Sequence, residues 1–135
     1  MANLLYGKGR EKFGDADIAW TAADIKMALV DTDDYSVNID VDEFIDDVAG
    51  AAVVDTSGNF GTKANVLGVL DAADIVLSAV TGDESEALVI YKDTGTPATS
   101  PLIAYIDTAS GLPVIPNGGD ITIAWDSGAN KILKL

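Results

Sequence analysis

From residue 16 onward the chain repeats one pattern, in which short segments of alternating side chains are separated by clusters of Gly, Pro, Asn and Asp. Successive side chains of a strand point to opposite faces of a sheet, so a period of two predicts a mainly β domain. The expected architecture is an antiparallel β sandwich or barrel-like domain. In residues 24–31, Ile25, Met27 and Leu29 alternate with Lys26, Ala28 and Val30. In 74–80, Ile75, Leu77 and Ala79 alternate with Val76, Ser78 and Val80. Segments 86–92 and 101–107 are apolar on both faces, which predicts central strands covered on both sides and joined by the loop 93–100. Segment 111–119 holds two of the four prolines and three glycines, so it turns or follows a sheet edge. Residues 120–126 alternate again with Ile121, Ile123 and Trp125 inward, 127–130 form a tight loop, and 131–135 form a terminal strand. Trp20 and Trp125 both fall in strand-like patterns and are expected in the core.

One segment breaks the period. In residues 40–50, Val41, Phe44, Ile45 and Val48 stand at i, i+3, i+4 and i+7, with Asp40 as N-cap, Glu43 three residues on and Gly50 as a stop. This spacing predicts one short amphipathic helix covering an end of the sheet. Asp46 and Asp47 in its last turn oppose the helix dipole by about a few tenths of a kcal/mol each, which propensity leaves unexplained. The pair Asp-Ile recurs at predicted strand starts, and Ala22-Ala-Asp-Ile25 matches Ala72-Ala-Asp-Ile75. The spacings are irregular, and an Asp closing a turn before a β-branched residue is common local chemistry, so no internal repeat is inferred.

A chain of 135 residues suits one domain. Its 8 bases against 22 acids give a net charge of -14, which repels phosphate backbones and argues against direct nucleic-acid binding. With no Cys and no His, thiolate nucleophiles, Cys/His zinc sites and Ser-His-Asp triads are excluded. No stretch approaches the roughly 20 apolar residues of a membrane-spanning helix, and no leader pattern opens the chain, so no membrane association is expected. The redox compartment stays open, because a protein without thiols behaves alike in either.

Nine acids lie between Lys26 and Lys63 with no base among them: Asp31, Asp33, Asp34, Asp40, Asp42, Glu43, Asp46, Asp47 and Asp55. An EF-hand loop begun at Asp31 fails at Tyr35, Ser36 and Asp42, where an oxygen ligand, Gly and Glu are required. A cation held by Asp31, Asp33 and Asp34 stays open beside a solvated acidic turn. Carboxylate pairs for glycoside hydrolysis depend on a spacing that only the fold sets, and Gly7-Lys8-Gly9 lacks the frame of a phosphate loop. No catalytic, cofactor or metal residues are assigned.

The first thirteen residues differ from the rest. Lys8, Arg10 and Lys12 against Glu11 make them locally positive, and Leu4, Leu5, Tyr6 and Phe13 supply apolar anchors. Two readings stand: an arm at 1–13 that reaches a partner from a β domain at 14–135, or a first strand or helical turn packed on its own domain. In the first, Leu4, Leu5, Tyr6, Lys8, Arg10, Lys12 and Phe13 are the partner-binding residues.

The strings Met1-Ala-Asn-Leu-Leu-Tyr-Gly-Lys-Gly-Arg-Glu-Lys-Phe13, Ile18-Ala-Trp20, Asp24-Ile-Lys-Met-Ala-Leu-Val-Asp-Thr-Asp-Asp-Tyr35 and Glu43-Phe-Ile-Asp-Asp47 resemble a family of small tailed-bacteriophage virion proteins. The resemblance continues in Thr81-Gly-Asp-Glu-Ser-Glu-Ala-Leu-Val-Ile-Tyr-Lys-Asp-Thr-Gly95, Thr99-Ser-Pro-Leu-Ile-Ala-Tyr-Ile-Asp-Thr108, Gly111-Leu-Pro-Val114 and residues 116–135. It departs mainly between about residues 53 and 70. It implies a non-enzymatic structural protein without cofactors, located in the virion after assembly in the host cytoplasm. A capsid decoration (cement) protein is favoured over a tail, neck or fibre-base component, and a host-surface glycan-binding module is the alternative from another class. The implied partners are the major capsid protein, other virion proteins and further copies of the chain, with a trimer favoured.

Overall fold

A computed structural model describes residues 4–135. Its centre is a five-stranded antiparallel sheet in the order β1 (Leu4–Leu5), β8 (Leu102–Ile106), β7 (Ala87–Lys92), β2 (Ile25–Val30), β3 (Val53–Thr56). Two smaller antiparallel sheets complete the fold. One has the order β10 (Leu133–Lys134), β5 (Val69–Asp71), β4 (Ala64–Val66), and the other pairs β6 (Ile75–Leu77) with β9 (Ile121–Ile123). The mainly β, antiparallel expectation with one short helix is what the structure has.

The large sheet buries both faces, as the doubly apolar patterns of β7 and β8 require. Ile25, Met27, Leu29, Leu88 and Ile90 point into a cluster shared with Leu70, Ile75 and Leu77 of the small sheets, giving a sandwich-like layer. Ala28, Val30, Ala87, Val89 and Tyr91 point the other way, beneath Tyr6, Tyr35, Val48 and Ala52. That second face is covered by irregular chain and not by a sheet. Trp20 is buried, Trp125 is partly buried, and the ring of Phe60 lies between them at centroid distances of 5.9 and 5.5 Å. The indole N–H groups of Trp20 and Trp125 donate to the carbonyls of Asp71 and Ala73, tying both rings to the β5–β6 connection. The β6–β9 ribbon is clamped at both ends: the Asp74 carboxylate accepts the Trp125 N–H, and the Asp120 carboxylate accepts the Ala79 N–H.

The helix is elsewhere than predicted. Residues 40–50 form turns, a 3-10 turn at Ile45–Asp47 and the start of another at Gly50–Ala52, while the single α-helix among the described residues, α1, spans Gly7–Gly14. The carboxylates that looked like helix surface take the backbone donors for themselves, which is how Asp competes with helix formation. Asp47 accepts from the N–H groups of Glu43 and Phe44, and Asp42 accepts from that of Asn38. The Leu102 N–H donates to Glu43 O and the Ile45 N–H to Ser100 O, so this stretch runs along the entrance to β8. Val41, placed on the predicted apolar face, is exposed.

Three glycines in eight residues make α1 a poor autonomous helix, at a cost of about 1 kcal/mol for each interior glycine relative to alanine. Docking holds it. In β8 the register slips between Ile90 and Tyr91, so Ile103 is an extra residue with no partner in β7, and both Ile103 and Ala104 face the same core. The Ile103 carbonyl of this bulge accepts the N–H of Tyr6. A Cβ on Gly9 would stand 2.5 Å from the Leu102 carbonyl oxygen, so α1 packs on β8 at a distance that only glycine permits there.

Candidate partner interface

Of the two readings for the N-terminal segment, its described part takes the packed one: β1 pairs with β8, and α1 rests on the same strand. Met1, Ala2 and Asn3 lie outside the described residues. Tyr6 is fully buried and therefore leaves the set of exposed partner contacts. Leu5 and Phe13 are partly buried, and Leu4 is exposed.

Two of the three bases of α1, Arg10 and Lys12, meet the acidic block of their own chain. Lys12 Nζ lies 3.2 Å from Glu43 Oε1 and 5.5 Å from the ring centroid of Phe44, and Lys8 pairs with Glu11 at 3.1 Å along the helix. Arg10 reaches Asp40 only at 3.8 Å, with both side chains well exposed. Lys8 and Lys12 thus offset carboxylates within the molecule, and Arg10 is the most loosely held of the three.

Beneath this contact, the buried hydroxyls of Tyr6 and Tyr35 are 2.9 Å apart, and Tyr35 donates to Asp42 at 2.6 Å. Because Tyr35 gives its proton to the carboxylate, Tyr6 must be the donor between the two phenols. Burial pushes both phenols far above their ordinary range, and the Asp42 carboxylate raises Tyr35 further by holding its proton.

The C-terminal strand joins the N-terminal segment in one surface. A cavity of about 370 Å³ is lined by Leu5, Arg10, Phe13, Gly14 and Leu135. Beside it a groove of about 950 Å³ runs between the large sheet, at Leu4, Leu88 and Ile106, and the residues before and within β10. Its charged lining is Arg10, Lys131 and Lys134 against Asp126 alone, in a chain with 22 acids. Asp126 already accepts the Gly128 N–H. At the rim, the Leu135 N–H donates to Gly68 O, which sets exposed Leu135 beside the β4–β5 turn carrying exposed Val66 and Leu67.

This cationic and apolar surface is therefore built from residues 4–14 together with the last strand and the residues before it. Lys131, Lys134 and Leu135 were not among the residues singled out from sequence. Two of eight bases within the last five residues was the available signal.

In the acidic turn, the Asp31 carboxylate is nearly buried and accepts the Asp33 N–H at 2.9 Å, an Asx turn. Thr32 donates from both its N–H and its hydroxyl to Glu86. Among the described residues no three acidic side chains converge as metal ligands would, and no helix is long and apolar enough to cross a membrane.

A scan of the chain against protein-family models and a search of curated proteins return no match.

Proposed function

We propose that this chain is a non-enzymatic structural protein of a tailed-bacteriophage virion, bound to the outer head surface as a decoration protein. The carrying observation is the resemblance that runs through most of the chain, including the strings on β2, β7 and β8. Two properties support it physically. The strong net negative charge keeps many copies apart and soluble before assembly. Exposed Leu4 lines the groove and exposed Leu135 the cavity, with exposed Leu67 on the turn beside Leu135, offering apolar area for an attachment surface.

Decoration proteins stabilise by linkage: a protein that binds the closed shell and not its open form raises the heat or force needed to break it. Copies around a threefold axis would bury apolar rim against one another, with the major capsid protein beneath. Imaging particles that carry a label on this chain tests the reading. Shell-wide signal in symmetric clusters is expected; signal confined to the tail, neck or fibre base overturns the head assignment, and absence of signal from particles overturns the virion assignment.

A further inference from the structure

We infer that the groove between β1 and β10 holds an extended acidic and apolar segment of a partner polypeptide. Under the reading above, on which this inference rests, the partner is the shell protein. The groove's apolar floor is formed by Leu88, Ala104 and Ile106 of the large sheet facing Ile123, Trp125 and Leu133. Its charged lining is Arg10, Lys131 and Lys134 against Asp126, an excess of two positive charges in a chain of net charge -14. An occupant that complements this lining carries carboxylates at its margins and apolar side chains toward the floor.

The walls favour an extended chain over a helix. β1 and β10 each stand last in the strand order of their sheets, so each has one side that no neighbouring strand pairs among the described residues. Backbone groups at such an edge are satisfied by adding a strand, which a helix cannot do.

A second copy is a poorer fit. At the centre of the acid-rich stretch it would offer, three carboxylates are already engaged in their own fold: Asp42 with Tyr35 and Asn38, Glu43 with Lys12, and Asp47 with the backbone of Glu43 and Phe44.

The test uses purified full-length protein and particles assembled without it. A photo-crosslinking residue replaces exposed, groove-lining Ala124, and binding is compared between the unaltered chain and the variant Arg10→Glu/Lys131→Glu/Lys134→Glu. The expected result is binding by the unaltered chain, loss of about tenfold or more on charge reversal, and retention by Arg10→Lys/Lys131→Arg/Lys134→Arg. The crosslink is expected to map to an acid-bearing segment of the shell protein. Should the triple reversal unfold, Lys134→Glu alone, at an exposed position, is expected to weaken binding measurably and more so at low salt. Unchanged binding by folded reversal variants, or a crosslink to another copy of the chain, overturns the groove assignment while leaving attachment standing. Failure of the unaltered chain to bind overturns both.

Discussion

The hydroxyl of Tyr6 donates to that of Tyr35 at 2.9 Å, joining two residues 29 positions apart, and Tyr35 passes the direction on to Asp42 at 2.6 Å. This relay fastens the N-terminal segment to the acidic loop over the second face of the large sheet. It explains why a loop rich in aspartate lies over a buried cluster: one carboxylate serves as the terminal acceptor for two interior phenols.

The relay predicts unequal costs for removing its two hydroxyls. Tyr35→Phe strands the Tyr6 donor in the interior and takes a donor from Asp42, for a loss of about 1–3 kcal/mol. Tyr6→Phe leaves the Tyr35–Asp42 bond in place and should cost about 1 kcal/mol. Urea unfolding of both variants and of the double variant measures this; a larger loss for Tyr6→Phe than for Tyr35→Phe would reverse the assigned direction.

The four tyrosines predict the alkaline limb of stability. Burial raises Tyr6, Tyr35, Tyr91 and Tyr105 above the ordinary phenol value of 10.0. A raised phenol keeps its proton in the fold and releases it on unfolding, so its stabilising contribution is complete below the unfolded value and declines as pH rises past it. Tyrosinate absorbance should therefore appear together with loss of structure, above about pH 10. A spectrophotometric titration run beside circular dichroism checks this, and tyrosinate formed in the intact fold at ordinary pH would contradict it.

Gly9 and Gly14 make a matched pair on one helix. Alanine at either gains up to about 1 kcal/mol of helix propensity. At Gly9 the new Cβ would meet a backbone oxygen at 2.5 Å, and relieving that overlap by moving α1 off β8 should cost about 1–3 kcal/mol. At Gly14 nothing lies within 4 Å. Gly9→Ala should lower the melting temperature and Gly14→Ala should hold or raise it.

Lys26 and Asp93 form an ion pair at 2.7 Å, with side chains about a quarter exposed, and the Gly95 N–H also donates to Asp93. The hydrogen bond to Lys26 leads in holding the Asp93 carboxyl below its ordinary value, and the same bond raises Lys26. The Asp93 contribution is present above the ordinary carboxylate value near 3.8 and is lost as pH falls through its depressed pKa. That of Lys26 is present below 10.5 and is lost as pH rises through its raised one. Asp93→Asn should cost about 0.5–1 kcal/mol at neutral pH, with the difference from the unaltered protein shrinking in acid. Denaturant unfolding at neutral and strongly acidic pH reads it; a difference independent of pH would show that the effect does not come from the charge of the Asp93 carboxylate.

The strands were legible where local pattern suffices. β2, β7 and β8 read correctly because a buried strand must be apolar at every inward position, and two covered faces leave an apolar run that no loop would carry. The helix was misplaced for a related reason. Residues 40–50 have helical spacing, but their carboxylates find nearer backbone donors, and residues 7–14 have poor propensity but a bulge to dock on. Nothing in the run of residues 101–107 marks Ile103 as the extra residue.

The site divided along the same line. That the first thirteen residues are basic and apolar is a matter of composition, and the sequence alone established it together with the acidic block, the absence of Cys and His, and the predominance of β structure. Which charges are offset inside the molecule, and which line an open groove, was decided by the tertiary structure. Lys12 meets Glu43 across 31 positions, while Arg10 lines the groove with Lys131 and Lys134 from the far end of the chain. Periodicity and charge counts are properties of neighbours along the chain. Ion pairs, bulges and grooves depend on which distant segments pack together, and that is settled by burying apolar surface over the whole fold.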